Sequence, residues 1–415
     1  MRACLRTILF VAQPPLRRAH SAARAAAAEL PRRYLAPPAL PEPGVACCVS
    51  HYEAIALHTA LQPRRPDSAS GSVSLGRGDL GALTVDLGLA RPASAEVSAS
   101  HVRLRGTRGI EGEEEWTACV PWAFLDRVAR KRRAGVWQCY APGQGEAEAA
   151  EEAEEDDLAP TKVEGLSELT SRPASLLPLD EASPTPPTAV LGGFNMHRTK
   201  GIDPAGDTDN KLRALGKKGG RVLDVCTGLG YTACAAARRA GVVTIELDPA
   251  MVELQRANPW SRQLFDDPKI TRLLGDATEV LPALPEGYFD AAVHDPPANA
   301  MSGELYSLEV YRALRRLLRP GGVLFHYVGD PASKASGRLF KGVLQRLREA
   351  GFDAKTTPAA YGITAVARKT YEQGNGARLV TRVVYEPEPW SDSLTANPGQ
   401  RLTVPDSLTA WTALL

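Results

Sequence analysis

Five apolar runs, RVLDV, VVTIEL, ITRLLG, FDAAVH and GGVLFHYV, recur between residues 221 and 328, and the stretches TACAAARRA, MVELQRAN, LYSLEVYRALRRLL and GRLFKGVLQRLREA separate or follow them. Runs this short and this continuously apolar read as strands buried on both faces, and the intervening stretches carry helical periodicity. Alternation of the two dictates a parallel sheet covered by helices. Right-handed crossovers then bring every loop that follows a strand to one edge of the sheet, where ligands bind.

The rest of the 415 residues is of a different texture. The first 33 contain seven arginines, many alanines and one acid, Glu29, a composition typical of an organellar presequence. The expectation is a disordered transit peptide over residues 1–45, directing the chain to chloroplast or mitochondrion. Ser50 and Glu53 have capping-box spacing ahead of an apolar run and predict a short helix. From residue 71, alternating segments such as TVDLGL and HVRLRG, punctuated by Gly, Pro and Ser, predict a small antiparallel β-rich domain over 46–142. It includes a helix in PWAFLDRVARKRR, whose terminal cations suit a helix C-terminus. EAEAAEEAEEDD and the Pro/Ser-rich sequence after it read as a linker or insertion over 143–190, and residues 370–415 as a C-terminal extension.

Charge and cysteine content exclude little but guide the reading. Forty-nine basic side chains against 48 acidic ones leave a net charge of +1, so global electrostatics recommends neither nucleic acid nor membrane. No apolar run reaches the roughly 18 residues that a membrane span requires. Seven cysteines without a CxxC pair indicate neither a disulfide framework nor a zinc site, and no metal is expected.

The first strand runs into DVCTGLGYTA, where Gly228 and Gly230, followed by Ala233, permit a tight turn and close approach of main chain to a ligand. Thr227 belongs to the same bend, and Asp224, inside the strand, anchors the loop by hydrogen bonds. Glu246 closes the second strand, where a carboxylate can accept hydrogen bonds from both hydroxyls of a ribose, with Leu247 beside it. Asp276 and Ala277 end the third strand, where an acid and adjacent backbone can meet an adenine edge. HDPP, His294 to Pro297, ends the fourth. These features fit an adenosine-bearing cofactor of any kind, NAD included.

The landmarks GDA, HDPP and RPGG, in this order after the glycine bend, resemble class I S-adenosylmethionine-dependent methyltransferases over roughly residues 192–368. NAD dehydrogenases lack the GDA and DPP landmarks in this order. GFNMHRTKGIDPAGDTDNK, DVCTGLGYTA, NPWSRQLF and HDPPANAMSGELYSLEVYRAL are similar to a family of predicted methyltransferases best known from archaea, in which the catalytic domain also follows a short β-rich region. The resemblance implies a Rossmann-like α/β domain over 191–369 that takes S-adenosyl-L-methionine and methylates an acceptor, expected to be a nitrogen of a small-molecule amine, an RNA or a protein.

It also implies roles for individual residues. Asp295, rigidified by two prolines, suits the reacting end as hydrogen-bond acceptor and base. His294 and His326 stand at strand ends as candidate proton shuttles or, the more frequent outcome for such a residue, as satisfied structural histidines. Arg198 is placed to meet the cofactor carboxylate. Methyltransferases with a DPPY-like loop stack an aromatic ring on a planar target, but Ala298 stands there, which leaves Tyr306 or Tyr327 for that task. GELYSLEVYRALRRLLRPGG is in addition similar to spermidine synthases, which transfer an aminopropyl group and carry two aspartates after the fourth strand. Here the second of those positions falls near Ala298, and the glycine motif is CTGLG. Aminopropyl transfer and a non-catalytic nucleoside-binding role therefore stand as alternatives.

Overall fold

The computed structural model describes residues 30–36, 45–68, 70–108, 114–141, 159–180, 185–216, 219–299, 301–333 and 336–369. The expected presequence up to residue 29, the acidic run 146–157 and the expected extension from residue 370 lie outside these.

Chain order in the first half is β1 (Val45–Ser50), α1 (His51–Leu61), β2 (Ser72–Gly76), α2 (Arg77–Leu80), β3 (Ser94–Ser98), β4 (His101–Arg108), β5 (Glu114–Pro121), α3 (Trp122–Lys131) and β6 (Val136–Tyr140). The short strands β7 (Thr161–Lys162), β8 (Glu164–Ser167), β9 (Arg172–Leu177), β10 (Thr188–Leu191) and β11 (Phe194–Asn195) follow. Strands β2 to β5 form one antiparallel meander, β1, β6 and β7 a second sheet, and β8 to β11 a third. The Ser50 hydroxyl accepts from the Glu53 N–H while the Glu53 carboxylate accepts from the Ser50 N–H, so the capping box starts α1 as its spacing dictates.

Two local expectations fail here. TVDLGL is a turn closed by the Val85–Ala90 bridge, with Asp86 and Leu87 in the left-handed region at φ 56° and 57°. Buried tertiary partners outweigh strand propensity, since the Asp86 carboxylate accepts from the Cys48 N–H at 2.8 Å and pairs with Arg108 at 3.3 Å. Within residues 143–190, expected as a linker or insertion, the part from residue 161 forms four paired strands that end at Leu191, because alternate residues such as Ala174, Leu176, Ala189 and Leu191 bury against the following domain. Short strands between Pro and Ser residues leave too weak a period to read.

The second half contains α4 (Pro204–Leu215), β12 (Gly220–Val225), α5 (Tyr231–Ala237), β13 (Ala240–Glu246), α6 (Pro249–Ala257), α7 (Gln263–Asp266), β14 (Ile270–Leu274) and α8 (Ala277–Ala283). Then come β15 (Phe289–His294), α9 (Leu308–Leu317), β16 (Leu318–Tyr327), α10 (Ser336–Glu349), β17 (Phe352–Thr357) and β18 (Gly362–Ala367). They build one seven-stranded sheet in the order β14-β13-β12-β15-β16-β18-β17, parallel except at β18, which runs antiparallel to both neighbours. Successive residues point to opposite faces, so Leu223, Val243 and Ala292 enter one core with α8, α9 and α10, and Val222, Val242 and Ala291 the other with α4 and α5. The runs RVLDV, VVTIEL, ITRLLG, FDAAVH and GGVLFHYV fall in β12 to β16, five of the six strands of this Rossmann-like sheet that run in one direction, β17 being the sixth.

The first half is joined to this sheet by packing against α6. Cys48, Leu87, Leu176 and Leu191 share a core with Leu229, Met251 and Leu254, and the Trp260 indole N–H donates to the Leu87 carbonyl at 3.2 Å. Residues 30–36, expected within a disordered presequence, pair with the sheet's margin: the Ala36 N–H donates to the Arg272 carbonyl at 3.0 Å, and Leu35 bridges to Leu273.

Candidate cofactor and acceptor site

The ends of β12, β13, β14 and β15 converge on one edge, and the sequence after β12 explains how the turn is held. The Cys226 and Thr227 N–H groups both donate to the Ile245 carbonyl at 3.0 Å, which drives Cys226 to φ 70°, where a side chain costs roughly 1 kcal/mol. The two glycines that follow serve different ends. Gly228 has φ 56°, and a β-carbon there would meet nothing within 4 Å, so its bare face is open. A β-carbon at Gly230, φ 78°, would come within 2.7 Å of Leu264 on α7. Gly230 therefore lets α7 pack closely against the bend.

Beneath the bend, Asp224 is 1% exposed and accepts from the Thr244 hydroxyl at 2.7 Å, and that hydroxyl lies 2.6 Å from Thr227 Oγ1. Burial pushes the Asp224 carboxyl up to about 7. Asp224 and Thr227 thus form an internal anchor, as expected of Asp224. Glu246, at the tip of β13, accepts the Gly228 N–H on one oxygen at 2.9 Å and the Leu247 and Asp248 N–H groups on the other at 2.9 and 3.0 Å. Burial nevertheless pushes Glu246 up to about 7. Leu247 is 48% exposed beside it, an apolar side chain at the strand's end.

Asp276 caps α8 by accepting the Thr278 N–H at 2.7 Å, and Ala277 is buried. Sequence reasoning missed the neighbour of this pair, Tyr34. Its ring lies 3.1 Å from where a β-carbon on Gly275 would stand, which puts an aromatic wall from the N-terminal segment directly before Asp276.

At the end of β15 the arrangement differs most from expectation. Asp295 Oδ2 accepts from the Lys211 ammonium at 2.6 Å, and the same ammonium lies 2.9 Å from Asp207 one turn earlier in α4. Arg198 completes a chain of four, 3.3 Å from Asp207. Lys211 is 3% exposed, and burial alone would strip its proton. The carboxylates of Asp295 and Asp207 outweigh that and hold it above the ordinary lysine value. Burial raises the Asp295 carboxyl while Lys211 opposes the rise. Oδ1 of Asp295 has no hydrogen-bond partner among the described residues.

Four candidate side chains are already engaged within the fold. His294 is 0% exposed, donates from Nε2 to the Leu305 carbonyl at 2.8 Å and stacks 4.6 Å from His326. Burial lowers it to about 4, so it is a neutral core ring rather than a shuttle at the edge. His326 is equally buried, between Tyr311 and the His294 carbonyl. Arg198 is occupied by Asp207, the Ala359 carbonyl at 3.2 Å and the Tyr361 ring at 3.5 Å, so it is not an open clamp for a cofactor carboxylate. Tyr306 is 2% exposed and donates to the Pro297 carbonyl at 3.0 Å, which fixes the loop after Asp295 rather than offering a stacking face. Tyr327 is the ring nearer the reacting end, 5.1 Å from the Lys211 ammonium. Among the described residues no cluster of three or more His, Cys, Asp or Glu is gathered as a metal site.

Comparison with known proteins bears on this geometry. Residues 222–322, from β12 into β16, match the family model described as a methyltransferase domain. S-adenosylmethionine is the cofactor that such a domain takes, and the residues present fit it: an open glycine face, a carboxylate at the tip of β13 with one acceptor direction unused, and an apolar flank at Leu247.

The chain is similar to proteins of several kinds. An uncharacterised protein of Methanocaldococcus jannaschii is 49% identical over 185 residues, 44% of this chain and 64% of that one. A polyamine aminopropyltransferase of Mycobacterium tuberculosis is 33% identical over 140 residues, 32% of this chain and 26% of that one. Putrescine N-methyltransferase 4 of Nicotiana tabacum is 32% identical over 111 residues, 25% and 28% of the two chains. The chain thus spans less than two thirds of the length of each. Among solved structures, the spermidine synthase of Thermotoga maritima is similar over 49% of this chain and 71% of that one, at 18% identity and a TM-score of 0.39.

Proposed function

We propose that this protein transfers a methyl group from S-adenosylmethionine to a nitrogen of its acceptor, and that it belongs with the archaeal-type methyltransferases its motifs resemble. The observation that carries the reading is Asp295, held at the end of β15 with one oxygen on Lys211 and the other without a partner among the described residues. When bound, the cofactor supplies a methyl group already activated on a sulfonium sulfur. The chain's task is then alignment, which can supply several kcal/mol, up to roughly 7–11. A carboxylate shared with an ammonium is a weak base, so Asp295 orients an acceptor N–H through Oδ1 more than it removes the proton. Incubation of purified protein with radiolabelled S-adenosylmethionine and fractionated organelle extract tests this. Label in RNA, protein or a small molecule names the acceptor class; tight cofactor binding with no transfer to any fraction favours a non-catalytic protein.

Aminopropyl transfer is the second reading, supported by the named activity of the mycobacterial relative. Against it stands the charge of the site: Arg198 and Lys211 balance Asp207 and Asp295, and Ala298 adds no acid, so no surplus negative charge waits for a polyamine. Binding of intact against decarboxylated cofactor separates the readings, preference for the intact form supporting methyl transfer.

Glu246 makes the cofactor reading testable by pH. A ribose diol donates to the ionised carboxylate, and the group titrates at about 7 in the free protein. Affinity for S-adenosylhomocysteine is expected to rise with pH through about 7, being about tenfold weaker near pH 6, and Glu246→Gln should flatten the profile. The same shift works oppositely on folding. The folded state retains a proton that the unfolded chain has released, so Glu246 makes the free protein less stable as pH climbs from the ordinary glutamate range to about 7.

Tyr34 gives a further expectation. Removal of residues 1–29 should leave cofactor affinity unchanged, whereas Tyr34→Ala should weaken it about three- to tenfold if the ring walls the adenine end. Unchanged affinity in calorimetry would make Tyr34 a packing residue alone. If a presequence is removed on import into an organelle, the cut is expected before residue 30.

A further inference from the structure

A cavity of about 540 Å³ opens between the loop after Asp295 and helix α10, within the size range of small-molecule sites. Asn299, Tyr306 and Ser307 form one wall, and Arg338, Gly342 and Arg346 the other. The last three recur every four residues and so share one face of α10. No lining residue is acidic, and neither arginine joins an ion pair among the described residues. The Nε of Arg346 is enclosed without a hydrogen-bond partner. Gly342 keeps the space between the guanidiniums clear, since a β-carbon there would stand 3.2 Å from Arg346 Nη1.

The cavity is tied to the reacting loop by continuous contacts. Tyr306 lines it and holds the Pro297 carbonyl. Arg346 also hydrogen-bonds the Tyr311 hydroxyl, Tyr311 meets His326 Nε2 at 3.0 Å, and His326 Nδ1 donates to the carbonyl of His294, the residue before Asp295. Two guanidiniums on one helix face, without an ion-pair partner among the described residues and opposite Asn299 and Ser307, are suited to a planar or tetrahedral oxyanion.

We propose that this cavity binds an oxyanion of the acceptor, a phosphate or a carboxylate, through Arg338 and Arg346, so that the methylated molecule is acidic at the end remote from its nucleophile. The proposal rests on the methyltransferase reading for the word acceptor, but not for the site. Titration of the full chain with inorganic phosphate and, separately, with succinate tests it by calorimetry and identifies which oxyanion is preferred. Arg338→Glu, at an exposed position, and Arg346→Gln are each expected to weaken binding about tenfold or more. Affinity for S-adenosylhomocysteine should stay as it is. Absence of binding by both anions, or binding unchanged in both variants, overturns the proposal. Once an acceptor is in hand, phosphate or succinate should raise its KM without lowering kcat; an acceptor with no acidic group, indifferent to Arg338→Glu, also overturns it and leaves methyl transfer intact. Arginine-dependent anion binding by a protein with no affinity for the cofactor would instead preserve the site and sink the methyltransferase reading.

Discussion

Lys211→Met is expected to destabilise the protein by about 3–5 kcal/mol, the range for a buried ion pair that loses one member. Lys211 and Asp207 are 3% and 1% exposed at the side chain, and Asp295 lies 2.6 Å from the same ammonium. Methionine fills a similar volume, so the loss is electrical: two carboxylates are left facing each other with only Arg198 in support. Such a loss is a large share of the roughly 5–15 kcal/mol that holds a domain folded. Chemical denaturation would measure it. Adding Asp207→Asn and Asp295→Asn to Lys211→Met should recover much of the stability, because the three groups act as a unit. A single variant within about 1 kcal/mol of the parent would mean that the pair is solvated and contributes as a surface bridge does.

Asp295→Asn is expected to act on turnover instead. Asparagine can still accept from Lys211 through its carbonyl, so the fold and the affinity for S-adenosylhomocysteine should hold within a few fold. What disappears is the negative oxygen that aligns the acceptor, and a loss of about a hundredfold in kcat is the expected scale. Radiolabel transfer measured beside calorimetry separates the two quantities. Equal losses in both would make Asp295 a structural residue.

Much of the sheet was legible because β12, β13, β15 and the second half of β16 are buried on both faces and read as apolar runs, whereas in marginal β14 only Leu273 is fully buried. Glu246 followed from its place at a strand's end. Lys211 did not, although Pro204, Asp207, Thr208, Lys211 and Leu215 lie on one buried stripe of α4. A lysine four residues after an aspartate reads as a solvated pair until the helix's inward face is known, and that face is set by packing against β15 and β16. His294 and His326 had two readings, shuttle and structural ring, and the sequence did not separate them. Both are in register at strand ends, yet the rings turn under the loop and pair with carbonyls, an orientation that no sequence period encodes. The glycine bend was read correctly as a turn, while the division of labour between Gly228 and Gly230 depended on Leu264, a contact 34 residues away. Tyr34 was hidden by composition, since its neighbours share the arginine- and alanine-rich texture of a presequence.

The segment around Leu35 also bears on colloidal behaviour. Open strand margins template pairing between molecules, and this sheet guards its two ends by unlike means. At β17 the outward Asp353 and Lys355 repel a visiting strand. At β14, whose sequence ITRLL has only one charge, residues 35 and 36 occupy the bonding groups themselves. Trimming beyond residue 36 would bare a sticky, mostly aliphatic ribbon, and the protein should then clump in proportion to its concentration while its interior stays folded.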